Sequence, residues 1–181
     1  MGEHLEYWGY DPKRINEGDW YDHFDLGNNF NVTLTPARHF AGRTLKRNTS
    51  LWTSFVLQTP TFKIFIGGDS GYDKHFAEIG KNYGPFDLAV LENGQYDKSW
   101  RYIHMLPDEF LVAAKELNAK KIFPAHSSKF GLGNHAWDEP LKKVTQNNLS
   151  AHLNVITPMI GEPVYINSDT QQFSKWWESV K

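Results

Sequence analysis

The sequence predicts an α+β domain in which a mixed sheet is covered by helices. Three observations carry that expectation. The first third alternates apolar and polar residues in short runs between turn residues, the pattern of hairpins. The middle changes to short apolar runs separated by amphipathic stretches, the pattern of strand–helix–strand crossovers. The chain has 181 residues, 40% of them hydrophobic, and no Pro/Gly/Ser-rich linker or internal repeat. Residues 1–181 are therefore read as a single domain with one core.

Along the chain, EHLEYWGY reads as a short helix stopped by Gly9 and Asp11-Pro12. NVTLT, residues 31–35, alternates with Val32 and Leu34 on one face. LWTSFVL and FKIFI are rich in β-formers and flank Gln58-Thr59-Pro60-Thr61, a hairpin turn. DKHFAEIGKNYG predicts a helix with Phe76 and Ile79 inward, and residues 86–91 a strand. Residues 107–119 form the strongest helix signal. Proline opens the segment, acids fill the first turn, and Phe110, Leu111, Ala114 and Leu117 make one stripe. KIFPAHSS is a strand entering a polar loop, and Asp138-Glu139-Pro140 begins another helix. The tail predicts a strand at 164–166. A final helix would place Phe173, Trp176, Trp177 and Val180 on one face, an aromatic stripe best explained as core packing.

Bulk chemistry narrows the function. A net charge of −2 without a basic block gives nothing to draw the chain to nucleic acid or an anionic membrane. The absence of cysteine excludes disulfides and thiolate metal sites, so any metal must be held by His, Asp or Glu. It also suits a reducing compartment, and a cytoplasmic location is the expectation. No apolar run reaches the length of a membrane-spanning helix, and MGEHLEYWGYDPKR lacks the apolar centre of a signal peptide.

Three strand candidates end in a metal-capable side chain: NVTLTPARHF at His39, KIFIGGDSGY at Asp69 and KIFPAHSSKF at His126. In sheets covered by helices, ligands gather on the loops beyond the strand ends. Two imidazoles and a carboxylate make a zinc set that also suits manganese or iron. Gly67 and Gly68 lack Cβ atoms, so backbone or metal can approach there closely. The competing reading is local: a histidine past a strand is usually a surface residue, and Asp before Ser-Gly usually forms a turn.

Taken together, TPARHFAGR, LWTSFVL, FIGGDSGYDKHFAEIGKNYGPFDLAVLENGQY, HMLPDEF and PAHSSKFGLGNHAWDEP resemble the metallo-β-lactamase superfamily. The resemblance is greatest to the branch holding N-acylphosphatidylethanolamine phospholipase D and bacterial zinc-dependent hydrolases, and runs from residue 3 to about 145. It implies an αββα fold and metal-dependent hydrolysis of phosphodiester or related ester bonds, lipid-type or small-molecule. It implies that His39 belongs to a first metal site, Asp69 bridges two metals and His126 belongs to the second. His104 matches a histidine near the substrate, where it would stabilise charge or move a proton; a plain helix-capping role competes with this. Arg43, Tyr96 and Trp100 are weaker candidates for a substrate pocket, with loop packing as the alternative. Arg38 is expected to pair with surface acids, and His75 and His135 to sit at solvated positions.

The superfamily's His-x-His-x-Asp-His signature does not occur in these residues; the one Asp-His pair, Asp22-His23, lacks the two preceding histidines. The chain is accordingly read as the C-terminal portion of the fold, without its first strands. That reading predicts weaker metal binding and little hydrolysis by this chain alone. It also predicts a partly uncovered sheet that favours self-association or pairing with a separate N-terminal half.

Overall fold

The computed structural model describes every residue except 43, 44, 46 and 181. Its six strands form one sheet in chain order: β1 (His23–Asp25), β2 (Asn31–Pro36), β3 (Thr53–Gln58), β4 (Lys63–Ile66), β5 (Leu88–Glu92) and β6 (Ile122–Ala125). Strands β1 to β4 pair antiparallel, while β4–β5 and β5–β6 are parallel. Connection chemistry sets this change. The β3–β4 link closes as a tight turn, in which the Thr59 N–H donates to the Phe62 carbonyl at 2.8 Å and the Thr59 hydroxyl accepts from the Phe62 N–H at 2.8 Å. The parallel pairs instead need crossovers, supplied by α2 (His75–Tyr83) and α3 (Pro107–Glu116). Helices α1 (Gly2–Tyr7) and α4 (Glu139–Ala151) complete the α+β architecture.

Register decides which side chains meet the helices. Val56 lies opposite Phe65, Phe65 beside Ala89, and Ala89 beside Ile122, so these four share a face. They pack with Phe76 and Ile79 of α2, Phe110 and Ala114 of α3, and Val144 of α4 in one core. The stripe expected on α3 is buried as read, including Leu117 just past the helix end. At its start, the Glu109 carboxylate accepts from the Leu106 N–H at 2.9 Å, and Asn118 at φ 54° turns the chain away after it.

The other face of the sheet is different. Val32, Leu34, Phe55, Leu57, Ile64, Ile66, Val90 and Phe123 share it by register. None of the eight is fully buried, and Ile66 is 38% exposed, while Leu88, paired with Ile64 on the same face, is buried. A band of eight apolar side chains at this exposure is far more than scattered surface hydrophobics.

Three expectations for secondary structure need correction. Strand β1 was not anticipated; three residues, HFD, give too little pattern to read. Residues 164–166 are not a strand. They arch over the buried Lys121 ammonium, which donates to the carbonyls of Ile166 at 2.6 Å and Ser168 at 2.8 Å. The tail helix shrinks to a single 3-10 turn, Trp176–Glu178, in which Trp177 is buried and Val180 exposed. A segment so short is marginal as a helix, and the insertion of one indole into the core fixes it instead. Among the described residues, no helix is long and apolar enough to cross a membrane.

Candidate metal centre

Strands β2 and β4 both run antiparallel to β3, and β5 and β6 run parallel to β4. The C-terminal ends of these four strands therefore lie along one edge of the sheet. His39 follows β2, Asp69 follows β4, and His126 follows β6; His104 lies between β5 and α3. One donor atom from each of His39, Asp69 and His104 lies within 4.8 Å of the others. His126 Nε2 is 3.6 Å from Asp69 Oδ1. The His104 ring stacks on His126 at 5.7 Å between centroids and meets His39 edge-on at 5.2 Å. Three side chains far apart in sequence, His39, Asp69 and His104, thus converge on one point, and His126, expected from the sequence to share the set, lies beside them against Asp69.

The cluster has a closed side and an open side. His104 is buried, His39 half-buried, and the side chains of Asp69 and His126 are 44% and 41% exposed. The donor chemistry fits a divalent ion: imidazole nitrogens, one carboxylate, and open positions toward solvent. His39 Nδ1 lies 2.9 Å from the Phe40 carbonyl. Donation from Nδ1 to that carbonyl leaves Nε2 as the free ligand atom.

The turn that carries Asp69 is built from backbone needs. Gly67 donates to the Val90 carbonyl at 2.9 Å, and Gly68 takes φ +62°, where a Cβ would also sit 3.2 Å from the Thr53 carbonyl. Ser70 then ties this turn to the His39 segment. Its hydroxyl accepts from the Arg38 N–H at 2.9 Å and donates to the Gly71 carbonyl at 2.9 Å. Its single proton is thereby used, so the contact with His75 Nε2 at 3.2 Å is one in which the imidazole donates.

His75 is thus not the solvated helix-face residue expected from the sequence; it is 8% exposed. Burial disfavours its imidazolium form and lowers its pKa to about 4, against an ordinary value of 6.5. Between those values the unfolded chain binds a proton that the folded chain resists. The His75 contribution is therefore complete above pH 6.5 and declines as pH falls toward 4. Denaturant unfolding near pH 7 and near pH 4.5 should show a loss of about 2 kcal/mol that is missing in His75→Gln. An equal loss in both proteins would contradict this role.

His126 sits at φ +61° and Ser128 at φ +69°, left-handed conformations uncommon for non-glycine residues and frequent where a site is held under constraint. The constraint comes from the loop after β5. The Gln95 amide donates to the carbonyls of His126 at 3.3 Å and Phe130 at 3.1 Å. Its oxygen accepts from the N–H groups of Leu132 at 3.1 Å and Gly133 at 3.2 Å. Sequence reading gave Gln95 no role, because a polar residue in a polar loop carries no periodic signal.

Glu92 was missed as well. It is 3% exposed; Oε1 accepts from the Met105 N–H at 2.5 Å, and Oε2 lies 3.3 Å from His104 Nδ1. Its position as an acid at the end of a strand, like Asp69, was the available signal.

The pocket candidates are placed as follows. The Tyr96 hydroxyl donates to Glu139 at 2.8 Å while its ring stacks on His135 at 4.3 Å, and burial pushes its phenol pKa up. His135 is therefore half-buried rather than solvated. Trp100 donates from Nε1 to the Gln95 carbonyl at 2.6 Å. Arg43 lies outside the described residues. Arg38 pairs with Asp73 at 2.9 Å, as expected, and its guanidinium lies over the Tyr102 ring. Neither Tyr96 nor Trp100 lines the cavity of about 420 Å³ that adjoins His126; Phe123, Leu141, Met159, Ile160 and Trp176 do.

The model of the Beta-lactamase superfamily domain matches residues 1–127, well over half of the chain. The chain belongs to the metallo-β-lactamase superfamily. Within that superfamily it is 55% identical over 98 residues to the Outer membrane protein RomA of Klebsiella pneumoniae, covering 54% of this chain and 74% of that protein. It is 36% identical over 180 residues to a Mycobacterium tuberculosis protein, covering 98% of this chain but 48% of that one. This metallo-β-lactamase relative thus spans about half the length of its mycobacterial match. A mitochondrial N-acyl-phosphatidylethanolamine-hydrolyzing phospholipase D of Saccharomyces cerevisiae is 34% identical over 139 residues, covering 72% of this chain and 30% of that enzyme. The fold is that of Igni18, a metallo hydrolase of the archaeon Ignicoccus hospitalis. That match has a TM-score of 0.67 at 20% identity, over 90% of this chain and 64% of that one.

Proposed function

We propose that this chain carries the ligand-bearing strand ends of a metal-dependent hydrolase centre acting on phosphodiester or related ester bonds. One observation carries the reading: His39, Asp69, His104 and His126 converge at a single sheet edge. Zinc suits this nitrogen and oxygen donor set, and manganese or iron is compatible with it. A divalent ion bound there supplies Lewis acidity and lowers the pKa of water. Asp69 contributes the negative charge that draws the ion in. The buried His104 faces the same point and accepts a proton at its Nε2. The apolar cavity beside His126 suits a substrate with an apolar portion. The yeast relative, named for hydrolysis of a phospholipid, supports a lipid-type phosphodiester as substrate. The cysteine-free sequence supports a cytoplasmic setting.

A second reading rests on the half-buried apolar face of the sheet. In it, the chain turns nothing over alone and pairs through that face with a second copy or with a separate N-terminal half bearing the remaining ligands. A chromogenic phosphodiester, offered to zinc-loaded protein, separates the two. Turnover that a chelator abolishes and His104→Ala lowers by about 100-fold or more supports the first reading. Zinc retention without turnover, together with sedimentation as a dimer, supports the second. A monomer that retains no zinc contradicts both.

A further inference from the structure

We propose that Glu92 is a positioning residue for His104: its buried carboxylate holds the imidazole as the Nδ1–H tautomer, with the Nε2 lone pair turned toward His39 and Asp69. The inference deepens the metal-site reading above and rests on that reading for its consequence, though not for its geometry.

Glu92 ends β5, the strand beside the one that delivers Asp69. The sheet has carried its side chain under the segment that leads into α3. There it is 3% exposed, where a carboxylate persists only with donors on its oxygens. The two oxygens are differently engaged. Oε1 takes the Met105 backbone N–H at 2.5 Å, a donor that cannot change its role. Oε2 faces His104 Nδ1 at 3.3 Å, and an ionised carboxylate only accepts. The proton of a neutral His104 is therefore placed on Nδ1. What is left on the ring is Nε2, unprotonated. The ring itself stands among its partners, edge-on to His39 at 5.2 Å and stacked on His126 at 5.7 Å. A lone pair there can ligate an ion or receive a proton; an N–H in the same place can do neither.

Glu92→Gln makes the inference testable, because an amide cannot satisfy both neighbours as a carboxylate does. The amide oxygen is needed by the Met105 N–H. Its NH2 group then faces His104 Nδ1, which must become the acceptor, and the ring proton moves to Nε2. A residue that merely capped the start of α3 would lose stability on substitution without reversing the ring.

Long-range nitrogen–proton NMR of histidine-labelled, metal-free protein reads the tautomer directly above the imidazole titration range. The wild type is expected to show His104 as Nδ1–H, and Glu92→Gln as predominantly Nε2–H. Glu92→Asp, which keeps a carboxylate, should restore Nδ1–H at least in part. Zinc affinity should fall about 10- to 100-fold in Glu92→Gln, the range typical for losing the partner of a ligating histidine, and recover with Glu92→Asp. A wild-type His104 in the Nε2–H form overturns the proposal, as does a tautomer unchanged in Glu92→Gln. Should Glu92→Gln fail to fold, the wild-type tautomer alone decides. The predicted tautomer in a protein that binds no zinc would leave Glu92 in its role and remove the metal-site reading. Zinc binding with the opposite tautomer would do the reverse.

Discussion

Asp69→Ala is expected to weaken zinc binding by at least about 100-fold, the upper end of what removing a mere outer partner of a metal site costs. Asp69 supplies the carboxylate in a trio otherwise made of imidazoles, and it reaches toward both halves of the cluster. An ion approaching neutral imidazoles alone meets only dipoles. With Asp69 in place it meets a full negative charge at a partly desolvated edge, where the Coulomb term exceeds its value in water several-fold. The cost should appear in binding rather than in folding. The side chain is 44% exposed, and the turn beneath it is held by Gly67, Gly68 and Ser70. Competition against a chromogenic zinc chelator reads the affinity, and denaturant unfolding of the metal-free proteins checks that stability is unmoved. Equal zinc affinity in the wild type and Asp69→Ala would show that the carboxylate lies outside the site.

Gly94→Ala should damage both stability and zinc binding, through backbone alone. A Cβ on Gly94 would meet the His126 carbonyl oxygen at 1.9 Å and its carbon at 2.6 Å. Neither atom is the end of a flexible side chain, so the loop after β5 or the His126 segment must move. Overpacking of this kind costs roughly 1–3 kcal/mol. The displaced segment is the one that holds His126 in its left-handed conformation, so its imidazole should leave the cluster with it. Gly131→Ala serves as control, since nothing lies within 4 Å of a Cβ there. Wild-type stability and zinc affinity in Gly94→Ala would contradict this packing.

The residues that reach the site were legible in the sequence to different degrees, and the reasons are physical. His39, Asp69 and His126 each follow a run of β-forming residues, and a strand that ends in a polar side chain advertises what it delivers. The two glycines before Asp69 likewise marked a place of close backbone approach, and Gly68, at φ +62°, would set a Cβ 3.2 Å from the Thr53 carbonyl. His104 follows no strand directly and was placed only through family resemblance. Glu92 and Gln95 hold the ligands from behind: Glu92 carried the same strand-end signal as Asp69, whereas Gln95, a polar residue in a polar loop, carried none. His75 misled because a polar residue at the start of an amphipathic helix reads as solvated, whereas its Nε2 reaches back to Ser70. The helix stripe at Phe110, Leu111, Ala114 and Leu117 was plain because burial of a whole face repeats along the chain. The tail, fixed by one indole in the core, offered no such repetition.

Convergence of His39, Asp69, His104 and His126 on one ion is tested most directly by X-ray absorption at the zinc edge of metal-loaded protein. The predicted spectrum shows a shell of nitrogen and oxygen donors with the outer scattering of at least two imidazole rings, diminished in His39→Ala and in His126→Ala. Zinc held by oxygen alone, or a spectrum identical in those two variants, would contradict it.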